Sequence, residues 1–358
     1  MQHADIVIIG AGFAGAACAY FLAAQGCHDV VVVEQAPSAG MAASGRNAQM
    51  ARQFTLDPAF HPFAVEGTHF LYAPPAEIAP HPLIRAVGSM ILLDPARIAD
   101  TERAVAAAHH TGMQATLIRG AEAMARVPVL QLRDDERVVW TPTDGIVDSD
   151  ALLHGFLRAA TQRGAQLITN APVRLIVETA EGFLLKAGEE ALTARVVVNA
   201  AGAWAGHVAG LAGLPNHGLT AYRRHLFITE PTPLIRPDWP FVWDDQHHCY
   251  FRPEGGGALM SPCDETEAAA DSDDAVDPYQ RGALQEKLAH RMPALARLPF
   301  ARGWTGLRTF TPDRHFLLGW DAQFPRFYWI AGLGGHGVTC AAAVGRRAAE
   351  ALLQGAGS

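Results

Sequence analysis

The chain has 358 residues, 49% of them hydrophobic and 18% charged, and this length suffices for one large or two medium-sized domains. Its formal net charge of −8 argues against nucleic acid and anionic membrane surfaces as partners. Five cysteines without a CxxC pair predict reduced thiols in a cytoplasmic protein, and no ligand spacing indicates a metal site. Asp5 and several glycines interrupt the apolar first 26 residues, which predicts a strand and a helix instead of a signal peptide or transmembrane segment.

The start of the chain carries the strongest secondary-structure pattern. Asp5 and the continuous apolar run that follows it predict a buried parallel strand at residues 5–9, and residues 30–33 predict a second one. Small residues at positions 14–25 predict a helix between them. The order strand, helix, strand is a βαβ unit.

The turn of this unit has the GxGxxG spacing of a dinucleotide-binding motif. Gly10 permits a tight turn, Gly12 lets the backbone approach a pyrophosphate, and Gly15 lets the helix pack on the strand. Glu34 follows about 20 residues later, where a carboxylate binds the adenosine ribose. The motif predicts FAD or NAD; the alternative is a glycine-rich turn in an ordinary α/β unit.

The segment from residue 35 to residue 172 mixes loops with further elements. The loop at residues 41–49 contains small polar residues and an arginine that suit a phosphate or a ring edge, although a surface turn is the alternative. Helices are predicted at residues 60–72, 95–110 and 151–163, and a strand is predicted at residues 88–93. Asp148 is expected to be the N-terminal cap of the helix at residues 151–163.

The next segment predicts a β-meander followed by a separate buried strand. The meander strands are expected at residues 173–178, 183–187 and 192–194, and the buried strand at residues 195–199. Small residues follow this strand at positions 200–203. Such residues at the carboxyl end of a strand suit the close approach of a cofactor.

From residue 219 the pattern changes to aromatic, alternating strands at residues 223–229, 249–253 and 257–261, which predict an antiparallel sheet of a second domain. Residues 263–277 are acidic and predict a solvated loop. The C-terminal segment predicts a strand at 327–331, a glycine loop, and a helix at 338–353 whose N-terminus can stabilise the anion of a reduced flavin. This second element favours FAD over NAD.

Together these motifs resemble the D-amino-acid oxidase superfamily of FAD-dependent amine oxidoreductases, which includes glycine oxidases, sarcosine oxidases and D-amino-acid dehydrogenases. The resemblance covers nearly the whole chain and rests on five segments, at residues 10–15 with Glu34, 44–47, 198–204, 306–313 and 334–337. Segments at residues 127–130, 148–152, 209–213 and 304–308 are most similar to bacterial D-arginine dehydrogenases.

The resemblance implies an α/β fold. A Rossmann-like FAD-binding domain of the glutathione-reductase type, with a β-meander, would be interleaved with an antiparallel-sheet α+β substrate domain. The FAD-binding domain is expected at residues 1–76, 142–218 and 303–358, and the substrate domain at residues 77–141 and 219–302.

The resemblance also assigns the site residues. The substrate carboxylate would be held by Arg308, Arg224 and Tyr250, since guanidinium groups and a phenol donate hydrogen bonds to a carboxylate; the two strand residues have an alternative as ordinary sheet residues. His336 would contact the amine or flavin, or act as a loop histidine with a backbone partner. The positions expected to bind FAD are Gly10, Gly12, Phe13, Ala14, Gly15, Glu34, Gln35, Ser44, Gly45, Arg46, Asn47, Ala48, Gln49, Val173, Ala200, Ala201, Gly202, Trp204, Arg308, Gly332, Gly334, Gly335, His336, Gly337, Val338 and Thr339.

Departures from the D-arginine dehydrogenase pattern narrow the substrate. The acid that meets the substrate guanidinium falls at Ser89, the histidine beside the flavin falls at Met50, and a lid tyrosine falls near Thr55. Without the acid, a cationic side chain loses its partner, so a neutral or apolar side chain is expected. Arg52 in the same loop could instead attract an acidic substrate.

The expected activity is oxidation of an α-amino acid, of D configuration by resemblance, with hydride transfer from Cα to flavin N5 and hydrolysis of the imino acid to a 2-oxo acid and ammonia. FAD should be noncovalent, because the flavin-linking cysteine of sarcosine oxidases has no counterpart. Their oxygen-activating lysine is also absent, which slightly favours a dehydrogenase. The alternatives are N-alkyl or cyclic amino acids, a 2-hydroxy acid, or a non-catalytic FAD-binding subunit. The electron acceptor (oxygen, a quinone or a dye) and the choice between monomer and homodimer stay open.

Overall fold

The computed structural model describes residues 2–272 and 274–355. Helices in this part of the chain are α1 Phe13–Ala24, α2 His61–Tyr72, α3 Ile98–His110, α4 Gly120–Arg126, α5 Ser149–Gln162, α6 Ala205–Leu211, α7 Tyr279–Arg291, α8 Pro293–Ala296 and α9 Gly337–Gly355. Short 3₁₀ turns occur at Pro58–Phe60, Pro95–Arg97 and Gly202–Trp204. None of the helices among these residues is long and apolar enough to cross a membrane.

The strands of the described residues form three sheets. They are β1 Gln2–Ile9, β2 Val30–Val33, β3 Met50–Ala51, β4 Ile84–Ala86, β5 Ser89–Leu92, β6 Thr116–Arg119, β7 Arg137–Thr141, β8 Gly145–Val147, β9 Gln166–Ile168, β10 Val173–Thr179, β11 Gly182–Ala187, β12 Glu190–Asn199, β13 Thr220–Thr229, β14 Phe241–Asp244, β15 Cys249–Glu254, β16 Gly257–Ser261, β17 Thr266–Glu267, β18 Phe300–Phe310, β19 Leu317–Trp320 and β20 Phe327–Ala331.

The first sheet has eight strands, and its centre is parallel. Strands β20, β12, β1, β2 and β9 lie side by side in the same direction. Alternate residues of β1 enter two cores: Ile6 and Ile8 pack under α1, α5 and α9, while Val7 and Ile9 face the meander and α6. Burial on both faces explains the continuous apolar sequence of these strands, and the predicted βαβ unit is confirmed.

The prediction of a short meander strand followed by a separate buried strand was wrong. Residues 190–199 form the single strand β12, which pairs antiparallel with β11 along residues 190–194 and parallel with β20 along residues 197–199. The opposite edge of β12 pairs with β1 over most of its length. One long strand therefore belongs to the meander and to the parallel sheet at once, which the composition alone did not show.

The second sheet has nine strands in the order β17, β13, β16, β15, β14, β5, β7 and β6, with β18 also paired to β13. All its pairs are antiparallel except that of β5 with β14, which confirms the predicted antiparallel character. The division into two domains stays a prediction, and its boundary at residue 303 falls within β18.

The predicted helix at residues 95–110 begins with a 3₁₀ turn, because Asp94 accepts a hydrogen bond from Ala96 N (2.9 Å) and Pro95 lacks an N–H.

Candidate active site

Parallel strands place four predicted cofactor segments along one edge of the first sheet. The carboxyl ends of β2, β1, β12 and β20 are neighbours, and each is followed by one of the segments. Glu34 follows β2, residues 10–15 follow β1, residues 200–204 follow β12, and residues 332–339 follow β20. The carboxyl edge of an open parallel sheet is where nucleotide cofactors bind.

The glycine motif has the close contacts that its sequence predicts. Gly10 has a φ of +106°, and a Cβ at this position would lie 2.6 Å from the carbonyl oxygen of Ala200. A Cβ on Gly15 would lie 2.0 Å from the Gly10 carbonyl oxygen, so only glycine lets α1 pack this closely. A Cβ on Gly12 would lie 2.9 Å from Ser44 Oγ, which accepts a hydrogen bond from Phe13 N at 3.1 Å. The helix N-terminus therefore presents bare backbone, as a pyrophosphate requires.

The Glu34 carboxylate holds the two loops beside it. Its oxygens accept hydrogen bonds from Ala11 N and Ala36 N, both at 2.9 Å. A carboxylate has about four acceptor sites, so lone pairs are left for ribose hydroxyls. The neighbouring Gln35 is exposed. This geometry fits the predicted role of Glu34.

The side chains of the loop at residues 44–49 mostly contact protein. Arg46 forms an ion pair with Asp274 and donates to the Met41 carbonyl (3.2 Å). Asn47 donates to the Ser44 carbonyl and accepts from Gln49 N (2.6 Å). Arg252 donates to the Ala48 carbonyl and to Gln49 Oε1. A Cβ on Gly45 would lie 2.1 Å from the Gly40 carbonyl oxygen. The assignment of these side chains to FAD stays a prediction.

The glycine loop before α9 lies against β18. Gly332, Gly334 and Gly335 have φ values of 69°, 53° and 97°. A Cβ on Gly334 would lie 2.5 Å from the Phe310 ring, and one on Gly335 would lie 3.0 Å from Arg308 Cζ. A larger residue would clash with these side chains, so glycine is required for the loop to lie this close to β18, and this cradle presents bare backbone next to Arg308. The arrangement fits the isoalloxazine of a flavin.

The remaining predicted cofactor residues frame the same edge. Ala200 is buried, and Ala201 donates its N–H to Asn199 Oδ1 (3.3 Å) before the turn that contains Gly202 and Trp204. Val173 is the first residue of β10. The residues in the first turn of α9, Gly337, Val338 and Thr339, complete the edge.

The three predicted carboxylate ligands differ in what they already bind. Tyr250 is 0% exposed, and its hydroxyl has no hydrogen-bond partner among the described residues. Arg224 is 4% exposed; its Nε donates to the Asp264 carbonyl (2.8 Å) and its Nη2 to Glu265 (3.1 Å), which leaves Nη1 unpartnered. In the described part of the chain Arg308 has neither a hydrogen bond nor an ion pair. Arg308 and Tyr250 are therefore the groups that an incoming anion would satisfy.

The charges of the site act on one another. Burial and the neighbouring Arg224 lower the pKa of Arg308 to about 10, so it stays protonated at neutral pH. Burial raises the pKa of Tyr250, and Arg308 opposes this rise. Burial, Arg52 and Arg308 lower the pKa of His336 to about 3. His336 stacks on Phe60, with ring centroids 4.9 Å apart, and is neutral.

Arg52 and Met50 lie on β3 and its extension. Thr339 Oγ1 accepts a hydrogen bond from Arg52 N (3.1 Å) and lies 3.4 Å from the Met50 carbonyl oxygen, which ties this strand to α9. The Arg52 guanidinium lies over the ring of Trp243, 4.4 Å from its centroid. Sequence reasoning missed Trp243, which has no motif around it.

One wall of the site contains acidic residues that were expected to lie in a solvated loop. The acidic segment at residues 263–277 was expected to be a solvated loop, and its first part is not: Asp264 binds His225 (2.7 Å), and Glu265 pairs with Arg224 and Arg314. The pKa of Glu265 is lowered, because these arginines outweigh the opposing effect of burial. These contacts, which join residues 39 to 49 positions apart, give the acidic residues partners that local composition did not reveal.

Fold and site define a dinucleotide-binding α/β protein with a basic anion site beside a flavin cradle. A family model, DAO, described as FAD dependent oxidoreductase, matches residues 5–351, and the chain belongs to this family. FAD is therefore its cofactor. The more specific likeness to D-arginine dehydrogenases stays a prediction.

Several known proteins are similar along the whole chain. The FAD-dependent oxidoreductase domain-containing protein 1 of Bos taurus is 25% identical over 99% of this chain and 82% of its own length. The monomeric sarcosine oxidase of Streptomyces avermitilis is 23% identical over 98% of this chain and 94% of its own. The crystal structure of L-proline dehydrogenase from P. horikoshii has a TM-score of 0.89 and 25% identity, covering 99% of this chain and 94% of that one.

Proposed function

We propose that the protein oxidises the carbon–nitrogen bond next to the carboxylate of an α-amino acid. The observation that carries this proposal is the pair formed by Arg308, without an internal partner, and the buried, unpartnered Tyr250 hydroxyl beside the glycine cradle. Buried polar groups without partners are costly, and a substrate carboxylate would satisfy both. The names of sarcosine oxidase and L-proline dehydrogenase among the similar proteins support an amino-acid substrate.

Arg308 and Tyr250 would act by positioning. Two N–H groups of Arg308 and the Tyr250 hydroxyl fix the carboxylate, and Arg224 Nη1 adds positive charge behind it. Holding the carboxylate fixes the α-carbon relative to the glycine cradle, and such positioning supplies much of the rate. Bound FAD would supply the acceptor for a hydride from the α-carbon, and the resulting imino acid would be hydrolysed in water to a 2-oxo acid and ammonia.

His336 is not a suitable base for the substrate amine. A pKa of about 3 makes His336 a weak base at neutral pH, because its surroundings disfavour the protonated ring. The same positive charges, Arg52 and Arg308, disfavour a protonated substrate amine, so the amine loses its proton to water more readily at this site. His336 would then hold the ring system of Phe60 in place and contact the neutral amine.

The site disfavours a cationic substrate side chain. Ser89 occupies the position of the expected acid, and its hydroxyl donates to Asp144, a carboxylate that is 0% exposed. A guanidinium or ammonium group would therefore meet the positive charge of Arg52, while the carboxylate in the same cavity, Asp245, is already paired with Arg97. A D-amino acid whose side chain is not cationic is the first candidate. Secondary amines such as N-alkyl or cyclic amino acids are the second, which the names of the similar proteins favour.

Anaerobic mixing of the FAD-loaded protein with D- and L-amino acids and with sarcosine and proline tests the proposal. Loss of flavin absorbance with at least one of them is expected, and Arg308→Met should abolish the loss at the same concentration. A bound flavin that no member of the panel reduces would support a non-catalytic FAD-binding subunit. Release of ammonia distinguishes a primary-amine substrate from a secondary-amine substrate. Oxygen uptake distinguishes an oxidase from a dehydrogenase. FAD that stays in solution after acid precipitation of the protein would show that it binds noncovalently.

A further inference from the structure

A second guanidinium near the carboxylate ligands has no internal partner. The Arg52 side chain forms neither a hydrogen bond nor an ion pair with any residue that the structure describes, and its guanidinium lies over the ring of Trp243, 4.4 Å from the ring centroid. Trp243 also stacks on Tyr250, with ring centroids 4.9 Å apart. Arg52 and Tyr250 are therefore joined through one aromatic ring, and the charge of Arg52 also acts on His336 and Arg308.

Arg52 lines a cavity of about 220 Å³. Its walls also contain the apolar side chains of Phe54, Leu56, Ile91, Leu93 and Trp243 and the polar residues Thr55, Asp245 and His248. A second arginine, Arg97, reaches the same cavity, and it is paired through two contacts of 3.0 and 3.1 Å with Asp245. Asp245 also attracts Arg52, but among the described residues only Arg97 lies within ion-pair distance of it. The Arg52 guanidinium therefore keeps its hydrogen-bond donors for a ligand.

Asp144 attracts Arg52 without binding it. Its carboxylate accepts hydrogen bonds from Ser89 Oγ (2.6 Å) and from the backbone and side-chain nitrogens of Gln53 (3.0 Å each). Among the described residues no ion pair within 4.0 Å joins Asp144 to Arg52. The donors of Arg52 are therefore free to face the cavity, where a cation without a counter-ion is unfavourable.

We infer that the substrate carries a second acidic group, which Arg52 binds while Arg308 and Tyr250 bind the α-carboxylate. The substrate class is an amino dicarboxylate, with the distal carboxylate on the side chain or on the amine nitrogen. The inference rests on the proposed function and replaces the preference for a neutral side chain. It follows from the count of unpaired cations: a monocarboxylate would neutralise Arg308 and leave Arg52 unpaired, whereas a dicarboxylate satisfies both.

Isosteric pairs of substrates test this inference on the FAD-loaded protein. Anaerobic flavin reduction is measured with aspartate against asparagine and glutamate against glutamine, in both configurations, and with iminodiacetate against sarcosine. The best acidic substrate should exceed its uncharged analogue at least tenfold in kcat/KM. In Arg52→Gln this ratio should fall at least tenfold, and Arg52→Lys should keep part of it because the charge is retained. Arg236→Gln, which removes a surface arginine paired with Asp238, should leave the ratio unchanged.

Binding of substrates that cannot be oxidised gives an independent result. Titration calorimetry should show that succinate binds at least tenfold more tightly than succinamate and that Arg52→Gln removes the difference. Flavin reduction by neutral amino acids with no acidic preference would overturn the inference and leave the proposed function intact. Failure of every amino acid to reduce the flavin would overturn the proposed function, and equal binding of succinate and succinamate would then overturn the Arg52 site as well.

Discussion

Replacing Arg308 should damage activity without damaging the fold, whereas replacing Arg224 should mainly damage the fold. Arg308 has no hydrogen bond or ion pair within the described part of the chain, while Arg224 binds the Asp264 carbonyl and the Glu265 carboxylate. Methionine has a similar length and no charge, so Arg308→Met and Arg224→Met form a matched pair. The two variants separate a residue held ready for a ligand from a residue that supports the wall of the site.

The magnitudes follow from these contacts. The fall in the pKa of Arg308 from 12.5 to about 10 corresponds to ~3 kcal/mol against the charged form. Partial exposure of the side chain reduces this to about 1–2 kcal/mol, by which Arg308→Met should raise the free energy of unfolding. Losing two charge-assisted hydrogen bonds to the substrate, at about 1.5–3 kcal/mol each, should lower kcat/KM by about 10²–10⁴. Arg224→Met should lower the free energy of unfolding by about 1–3 kcal/mol, because Glu265 loses a buried donor.

Two assays decide the outcome. Urea unfolding of the FAD-free protein gives the stabilities without the contribution of bound FAD, which stabilises any variant that binds it. Single-turnover flavin reduction gives the limiting rate and the apparent substrate affinity. The reasoning is refuted if Arg308→Met is the less stable of the two variants, or if it reduces its flavin within threefold of the wild-type rate at low substrate concentration.

Three further changes test other parts of the site. Gly10→Ala should weaken FAD binding at least tenfold in a fluorescence titration, because its Cβ would lie 2.6 Å from the Ala200 carbonyl oxygen. Gly26→Ala is the control and should bind FAD normally, since Gly26 also has a positive φ but has open space around it. Tyr250→Phe should raise KM about tenfold through the loss of one hydrogen bond and should leave urea stability unchanged, since the hydroxyl has no internal partner; a loss above about 1 kcal/mol would contradict this. Burial raises the pKa of Asp144 from 3.8 to about 6, so its ionisation costs stability as the pH rises through this window. In urea unfolding, Asp144→Asn should therefore gain up to ~3 kcal/mol of stability relative to the wild type between pH 4 and pH 7. A stability difference that does not depend on pH would disprove the shift.

The sequence predicted those parts of the fold in which local pattern and tertiary environment agree. The strands β1 and β2 are largely apolar because both faces of the parallel sheet are covered. Between them, Gly15 and Gly10 are required because an added Cβ would lie 2.0 and 2.6 Å, respectively, from a backbone carbonyl oxygen. The cap at Asp148 was likewise readable, since its carboxylate accepts from Ala151 N at 2.9 Å. In each case a residue type is dictated by a contact within a few positions or by burial.

Short strands defined by distant partners were not predictable in this way. Strands β6 and β7 are five residues or fewer, and their register is fixed by each other and by β5. The two functions of β12 were also hidden, since a ten-residue strand with different neighbours along one edge has no distinct composition. Pairing partners, not propensity, define such elements.

The same limit applies to the charges of the site, and here it bears on function. Arginines 52, 97, 224 and 308 are equivalent in sequence, yet Arg97 and Arg224 contact Asp245 and Glu265, and the other two contact no carboxylate among the described residues. A paired arginine contributes mainly to the fold, because its charge is already compensated, while an unpaired one in a cavity is stabilised by a bound anion. In our proposal, the arginines that the folded chain leaves without an acid set the number of carboxylates that the substrate carries. Which arginines these are is decided only when distant segments meet.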